Sequence, residues 1–347
     1  MKISHQIIGP GVPSFIIAEM SGNHNQSLDT ALELVEAAAR AGAQALKLQT
    51  YTADTMTLDI SEGVFFIKDE RSPWKGKSLY DLYNLAHTPW EWHAPIMEKA
   101  QELGLICFST PFDRSAVDFL ERLDVPAYKI ASFEIVDLPL IRYIAEQGKP
   151  IILSTGMATL AEIDDAVRTI RETGNDQIAL LKCTSAYPAP PEEMNLRTIP
   201  HLAGAFGVPV GLSDHTLGTA TSVAAVALGA CIIEKHFTLS RADPGPDSAF
   251  SLEPHEFKAM VDAVRETEGA LGTVCYDVSE REKASKVFRR SLFAVKEIEA
   301  GEVFTEENVR SIRPGYGLLP KYMSTVLGRR AARNIVGGTP LSWNLIM

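Results

Sequence analysis

Short apolar runs alternate with longer amphipathic stretches through most of the chain. Each run is typical of a buried strand, and apolar residues in the stretch after it recur at the spacing of a helix. The predicted strands are residues 14–20, 45–49, 106–110, 127–131, 151–154, 178–183, 208–212 and 231–235. The predicted helices are residues 28–41, 90–103, 116–123, 138–147, 160–173, 195–206, 219–228 and 254–271.

Strands that are almost entirely apolar are typical of a parallel sheet whose outer face is covered. Eight consecutive strand–helix units favour an α/β fold in which the sheet closes into a (β/α)8 TIM barrel. An open doubly wound sheet is the second interpretation. It is weakened because no glycine-rich dinucleotide-binding motif follows the first strand. Residues 1–11 are predicted to form a short hairpin or cap.

Three segments depart from this alternation. Residues 51–88 connect the second strand to the next helix, and a connection of that length is usually functional, so we predict a partial lid over the barrel. Residues 281–290 are charged and are predicted to be a linker between a barrel at 1–280 and a β-rich module at 291–347. That module is barely large enough for a stable core, so we expect it to pack on another surface.

The composition excludes several classes of protein. A hydrophobic content of 46% with 22% charged residues is that of an ordinary globular protein. The net charge of −11 argues against nucleic-acid binding. No signal-like segment opens the sequence and no apolar run approaches membrane-spanning length. The four cysteines lack CxxC spacing and three lie in strand-like runs, which predicts reduced thiols and a cytoplasmic protein.

Nearly all the predicted strands end in polar or ionisable residues. In a TIM barrel the C-terminal strand ends meet at one mouth, where catalytic residues lie. The ammonium and hydroxyl groups among them would suit an oxyanion such as phosphate; they are Lys47, Lys129, Ser132, Ser154 and Ser213. Two alternatives stay open. The lysines can instead pair with neighbouring carboxylates, or one lysine can form a Schiff base, although no sequence feature selects one.

His215 and His236 end the seventh and eighth predicted strands. Neighbouring strands lie about 4.8 Å apart, so these two histidines can reach one metal ion. With carboxylates and water completing the shell, a borderline or hard divalent ion such as Mn²⁺ is favoured over a thiolate-bound structural Zn²⁺. Such an ion polarises a carbonyl or activates water. His24, after the first strand, is a third ligand, a substrate contact or a turn residue.

The strand-end motifs together resemble the sialic acid synthase family, the nonulosonate synthases. The residues that carry the resemblance are Ala18–Gln26 (AEMSGNHNQ), Lys47–Thr50 (KLQT), Phe108–Phe112 (FSTPF), Lys129–Ser132 (KIAS), Ser154–Met157 (STGM), Lys182–Pro188 (KCTSAYP), Gly211–His215 (GLSDH) and Glu234–Thr238 (EKHFT). The tail, with Arg313-Pro314-Gly315, is similar to the antifreeze-protein-like (SAF) domain of that family. The resemblance implies a transferase that condenses phosphoenolpyruvate with a sugar aldehyde to make a nine-carbon 2-keto acid.

Some positions differ from the sialic acid synthase pattern. They are Met20-Ser21, Gln26, the loop at 74–80 and the loop at 245–251. These departures place an N-acetylmannosamine substrate in doubt. They favour 2,4-diacetamido-2,4,6-trideoxy-altropyranose, which lacks the terminal hydroxyl, with other sugars of the family as alternatives.

The resemblance also implies residue roles, matched motif by motif. Glu19, Glu134, His215 and His236 would be catalytic, and the two histidines would bind Mn²⁺, with Mg²⁺ or Co²⁺ as alternatives. Phosphoenolpyruvate would contact Lys47, Thr110, Lys129, Ser132, Ser154 and Ser213. Tyr187 and Asp247 would line the sugar site. Arg313 is similar to an arginine that reaches a partner subunit's sugar, which implies a domain-swapped homodimer. A non-catalytic glycan-binding protein is the alternative from another class, and the set of ionisable strand ends argues against it.

Overall fold

The computed structural model describes residues 1–70 and 72–347 and divides them into two compact units, Met1–Gly272 and Thr273–Met347. The first unit contains every strand–helix pair predicted above. The second begins before the predicted linker at 281–290, which here contains the short helix α11 (Glu280–Lys283) and a 3-10 turn, Ala284–Phe288.

The first unit is a closed barrel of eight parallel strands. The strands are β3 (Phe15–Glu19), β4 (Ala45–Thr50), β5 (Ile106–Pro111), β6 (Tyr128–Ile130), β7 (Ile151–Ser154), β8 (Ile178–Cys183), β9 (Val210–Asp214) and β10 (Ile232–His236). They neighbour one another in chain order, and β10 pairs with β3 to close the ring. The TIM-barrel prediction is therefore confirmed, and the open-sheet interpretation is wrong.

Helices cover the outside of this barrel. They are α1 (Leu28–Arg40), α4 (His93–Glu102), α5 (Arg114–Arg122), α6 (Leu138–Ala145), α7 (Leu160–Glu172), α8 (Thr198–Phe206), α9 (Ala220–Ala227) and α10 (Pro254–Leu271), with α2 (Ala53–Met56) and α3 (Leu79–Ala86) inserted between β4 and β5. Several start at side-chain caps. Thr159 and Glu162, for example, form a reciprocal capping box at the start of α7, which satisfies backbone N–H groups that have no partner within the helix.

The barrel interior changes from apolar to polar along the strands. Alternate residues face inward, and the inward residues nearest the strand starts, such as Phe15, Ile17 and Phe108, form one buried apolar cluster. The antiparallel hairpin of β1 (Lys2–Ile3) and β2 (Gln6–Ile7) adds Ile3 and Ile8 to the same cluster. The next inward positions are ionisable or hydroxylic, so the strand ends carry the chemistry, as the sequence predicts.

The second unit has its own small core. β11 (Ser291–Ala294) pairs antiparallel with β12 (Val309–Ile312), and α12 (Met323–Val326) follows. Leu292, Phe304 and Val309 are among its fully buried side chains. This β-rich module agrees with the fold expected for the tail. Within the described residues, no helix is both long enough and apolar enough to cross a membrane.

The packing of the barrel predicts that a side chain at Gly211, in β9, lowers stability. A Cβ there would lie 2.4 Å from the carbonyl oxygen of Ile232 and 2.6 Å from its Cβ. Because both atoms belong to the adjacent strand, Gly211→Ala should lower the free energy of unfolding by about 1–3 kcal/mol, measured by urea denaturation. The matched control is Gly204→Ala in α8, where a Cβ would meet no atom of the described residues within 4 Å. That change should raise stability by about 0.5–1 kcal/mol, and equal stability of both variants would contradict the packing argument.

Candidate active site

A cavity of about 340 Å³ opens at the C-terminal end of the barrel. Side chains from the strand ends form its floor, and residues of the 51–88 segment and of the loop after β10 form its walls. Lining residues that the sequence analysis had assigned to the site are Lys47, Lys129, Ser132, Glu134, Ser154, Tyr187, Ser213, His215, His236 and Asp247. The fold therefore brings these residues, from six strands or their following loops, to one place.

The ammonium of Lys47 lies between two carboxylates on the cavity floor. Its Nζ is 2.9 Å from Glu19 Oε2 and 3.1 Å from Glu234 Oε1. All three residues are at least 95% buried, with relative exposures of 0%, 5% and 4% for Glu19, Lys47 and Glu234. Burial raises the pKa of Glu19 to about 7, although Lys47 opposes that shift. Burial would also raise the pKa of Glu234, but Lys129 and Lys47 outweigh it and lower that pKa.

Lys129 is in a different situation. Its Nζ donates to Ser154 Oγ at 2.7 Å and to the Ile130 carbonyl at 2.8 Å. Within the described residues no carboxylate lies at ion-pair distance from it. Burial therefore lowers the pKa of Lys129 to about 8. A desolvated ammonium that contacts only neutral groups is a strong binding point for an incoming anion.

Hydroxyl groups surround the two lysines. Ser154 accepts from Lys129, and Ser213 Oγ donates to Glu234 Oε1 at 3.2 Å. Ser132 Oγ accepts from the Gly156 amide at 3.1 Å. The close approach of Gly156 is required here, because a Cβ would lie 2.7 Å from Ser132 Oγ. The floor thus combines cations with reorientable O–H donors, a combination that suits phosphate or carboxylate.

His215 and His236 lie beside each other, with ring centroids 5.3 Å apart. His215 Nδ1 is 2.9 Å from the Thr184 carbonyl, which it contacts as a donor, so in the neutral ring the lone pair is on Nε2. Burial holds the pKa of His236 well below its usual value, so the ring is neutral. Its buried Nδ1 has no hydrogen-bond partner among the described residues.

Aromatic rings form the wall next to the histidines. The Tyr187 ring is 4.4 Å from the His215 ring and 5.0 Å from the Phe250 ring, and Phe250 is 5.1 Å from His236. Trp74 closes this wall from the 51–88 segment, with its ring 5.6 Å from that of Tyr187 and its Nε1 donating to the Pro246 carbonyl at 2.8 Å. The segment predicted to be a lid therefore supplies one wall of the cavity.

Carboxyl groups on the cavity wall are also shifted toward neutrality. Glu134 lines the cavity, and burial raises its pKa to about 7. Its Oε2 is buried without a partner in the described structure. Burial raises the pKa of Asp247 as well, although Ser21 donates a hydrogen bond to its Oδ2.

Three predicted site residues are not in the cavity lining. Glu19 lies directly beneath it, in contact with Lys47 and with Gln49 Nε2 at 2.9 Å. Thr110 is buried, and its Oγ1 has no partner among the residues described. Arg313 belongs to the second unit and is exposed, so its role stays a prediction. His24 is a turn residue, because Nδ1 accepts from the Gln26 amide and Nε2 contacts Thr88 Oγ1.

Glu234 and Gln49 also line the cavity, although no role was predicted for either residue. The two-residue alternation of a strand identifies them. Glu234 shares the inward face of β10 with His236, and Gln49 shares that of β4 with Lys47. The same alternation places Lys235 outside, where it contacts Asp214 Oδ2 at 2.8 Å.

The burial of Glu134 predicts how the stability of the folded protein depends on pH. Its pKa is raised from 4.5 to about 7 in the folded protein, so ionisation destabilises the fold as pH rises through that window. Glu134→Gln should therefore be more stable than the parent at pH 8 by about 1–3 kcal/mol, with the difference vanishing near pH 4.5. Urea unfolding at both pH values measures it.

Glu162→Gln is the control of opposite sign. The Thr159 backbone N–H and side chain lower the pKa of Glu162, so its stabilising effect is present at neutral pH and lost as pH falls through the folded pKa. This variant should be less stable than the parent at pH 7 and should approach it in acid. A Glu134→Gln difference that does not change with pH would contradict the burial argument.

Comparison with known proteins agrees with this geometry. The NeuB family matches residues 34–276, and the SAF domain matches residues 289–347. The pseudaminic acid synthase of Campylobacter jejuni is 50% identical over 94% of this chain and 95% of its own length. The pseudaminic acid synthase of Helicobacter pylori is 46% identical over 95% of this chain and 97% of its own.

A solved structure is also similar. The N-acetylneuraminic acid (sialic acid) synthetase of Leptospira borgpetersenii in complex with citrate aligns with a TM-score of 0.73 and 31% identity, over 82% of this chain and 94% of that chain. The resemblance drawn from the strand-end motifs is confirmed. The family match extends from α1 into the second unit, and the chain belongs to the NeuB family.

Proposed function

We propose that the chain is a pseudaminic acid synthase, which condenses phosphoenolpyruvate, 2,4-diacetamido-2,4,6-trideoxy-altropyranose in its open-chain form and water to give pseudaminic acid and phosphate. The observation that carries the proposal is the buried floor of Lys129, Lys47 and serine hydroxyls beside an aromatic wall. The pseudaminic acid synthases described above, at 50% and 46% identity, support the choice of sugar. The rival is a sialic or legionaminic acid synthase that uses another sugar in the same reaction.

Phosphoenolpyruvate would lie on the cavity floor. Lys129, which no described carboxylate neutralises, would contact the phosphate or carboxylate, and Ser132, Ser154 and Ser213 would donate hydrogen bonds. Lys47 already pairs with Glu19 and Glu234. Its charge is therefore largely compensated, and it would help to position the substrate more than bind it as a free cation. Thr110 is assigned to this substrate by the family resemblance alone, because its buried Oγ1 lies outside the cavity lining.

The proposed reaction is a condensation followed by addition of water and loss of phosphate. C3 of phosphoenolpyruvate attacks the sugar aldehyde carbon and forms the new C–C bond. Water adds at C2, its proton is removed, and the tetrahedral intermediate releases inorganic phosphate by cleavage of the C2–O bond, leaving the 2-keto acid. Glu134 and Glu19, with pKa values of about 7, can hold or release a proton near neutral pH, as general acid–base catalysis requires.

The histidine pair fits a divalent metal ion. His236 is neutral with an orphan Nδ1, and the Thr184 carbonyl orients His215 so that its Nε2 is available. In the described part of the chain no group of three His, Cys, Asp or Glu side chains forms a metal site. Water and substrate oxygens would therefore complete the shell, an open arrangement that suits a catalytic metal. Bound there, Mn²⁺, or Mg²⁺ or Co²⁺, would supply Lewis-acid polarisation of the aldehyde oxygen.

Two further features belong to the proposal. A homodimer in which Arg313 of one subunit contributes to the sugar site of the other would give the second unit a catalytic role. A cytoplasmic location agrees with the four free cysteines.

The sugar assignment is tested by phosphate release. The protein, Mn²⁺ and phosphoenolpyruvate are incubated with each candidate sugar, and a reaction without sugar is the control. The diacetamido-trideoxy sugar should have a kcat/KM at least about tenfold above that of N-acetylmannosamine, which corresponds to contacts worth about 1.4 kcal/mol. Turnover with N-acetylmannosamine alone would contradict the choice of sugar and leave the reaction class intact.

The metal assignment is tested on the histidines. His215→Ala and His236→Ala should each lose bound Mn²⁺ and lower kcat by more than about 100-fold, since changes even to residues that support metal ligands cost 10–100-fold. Metal content by mass spectrometry is measured beside activity, with and without EDTA. His255→Ala is the matched control, because its side chain is 75% exposed on α10. Unchanged metal content in both cavity variants would show that the metal assignment is wrong.

Lys129 supports a second candidate mechanism. Its lowered pKa, about 8, leaves part of the amine neutral near pH 7, so it could act as a nucleophile. A lysine aldolase would use pyruvate, forming an imine between Nζ and C2 with loss of water. Borohydride should trap no adduct under the main proposal. A pyruvate-dependent adduct at Lys129, with turnover unaffected by EDTA, would instead establish the aldolase.

A further inference from the structure

The loop after β3 holds an unusual number of residues in the left-handed backbone region. Ser21, Asn25 and Gln26 have φ values of +49°, +49° and +55°. Residues other than glycine are strained in that region, because their Cβ atom approaches the backbone too closely. Gln26 is also exposed, so burial of its side chain does not offset the strain. Contacts of its amide are the remaining reason for a long side chain at this position.

The Gln26 amide caps the C-terminus of α3. Its Nε2 donates to the Leu85 carbonyl at 2.9 Å and to the His87 carbonyl at 2.7 Å. Carbonyls in the last turn of a helix lack partners within the helix. Those of Tyr83 and Asn84 accept from the His87 backbone N–H and Nδ1. Both N–H groups of the Gln26 amide are therefore used to fix the end of one helix.

Two further residues of the same loop hold this helix end. Gly22 lies so close to Ala86 that a Cβ would be 3.1 Å from the Ala86 Cα and Cβ. His24 accepts from the Gln26 backbone N–H and donates through Nε2 to Thr88 Oγ1 at 3.2 Å. We call Gly22, His24 and Gln26 the α3 seat. It is where the β3–α1 loop contacts the C-terminal end of α3.

α3 forms an apolar wall of the catalytic cavity. Its lining residues are Leu79, Leu82, Tyr83 and Ala86. The Tyr83 ring packs edge-on against Tyr51, with centroids 5.8 Å apart. Lysines and serines form the floor proposed for phosphoenolpyruvate, so the apolar α3 wall borders the remaining volume, where the sugar must lie. The methyl and acetamido groups of a deoxy, doubly acetylated sugar match such a wall.

We propose that Gln26 is a positioning residue for the sugar substrate: by capping α3 it fixes the apolar wall of the cavity against the sugar. This inference rests on the proposed function. It predicts that loss of the cap weakens sugar binding while the phosphoenolpyruvate floor, built on other strands, is unaffected.

Gln26→Gly tests the proposal, because it removes the cap and relieves the backbone strain together. The KM for the sugar should rise about five- to tenfold, while kcat and the KM for phosphoenolpyruvate stay within about twofold. Thermal stability should stay equal or rise. Asp124→Gly is the matched control, since Asp124 has φ +51° in an exposed turn after α5, and its sugar KM should not change.

Two further variants separate hydrogen bonding from shape. Gln26→Glu keeps the size of the side chain but loses both donors, so it should raise the sugar KM as the glycine variant does. Gln26→Lys keeps a donor and should stay within about threefold of the parent. If Gln26→Glu behaves like the parent, or if the KM for phosphoenolpyruvate rises in parallel with that of the sugar, the proposal is overturned.

Hydrogen–deuterium exchange gives a readout independent of turnover. Amides near the C-terminus of α3 should exchange faster in Gln26→Gly and Gln26→Glu than in the parent and in Asp124→Gly. Faster exchange in a protein that turns over none of the sugars would support the cap and sink only the proposed function. Faster exchange with an unchanged sugar KM, or unchanged exchange, would overturn the positioning role.

Discussion

The buried contact of Lys47 with Glu19 and Glu234 is the interaction on which the rest of the site depends. The three residues lie on β4, β3 and β10, and β10 pairs with β3 where the barrel closes. Lys47 therefore links the first strands of the chain to the last across that closure. Its charge cannot be left alone at 5% exposure, because an unpaired buried ammonium is costly. Closing the barrel is what brings its carboxylates to it.

The same contact divides the two cavity lysines into different roles. Lys47 has two carboxylates, which outweigh the effect of burial and raise its pKa. Lys129 has a hydroxyl and a carbonyl, and burial lowers its pKa to about 8. A single floor thus holds one cation that completes the structure and one that is available to an anion. This asymmetry explains how the proposed oxyanion site and the buried ion pairs of the barrel can share the same few residues.

The part of the cavity proposed for the sugar has a different origin. Its walls come from segments between or after strands, and they meet through long-range contacts such as Trp74 with Pro246 and Gln26 with the end of α3. The walls are mostly apolar, whereas the floor is charged. Floor residues follow from the alternation of the strands, so relatives with a common reaction can share them. The wall segments can change without disturbing the barrel. Members of a family can therefore differ in their choice of sugar through these walls.

The sequence by itself determined the barrel, the second module and most of the cavity floor. Apolar runs and helical spacing are local properties of the chain, so the strands that contain Lys129 and Ser154 could be found without tertiary information. Strand alternation would also have separated the inward Glu234 from the outward Lys235. Only the tertiary structure decided which carboxylates hold Lys47, and that Phe250, Trp74 and α3 surround one cavity. Those contacts join residues that are far apart in the chain, and no local pattern encodes which distant segments meet when the barrel closes.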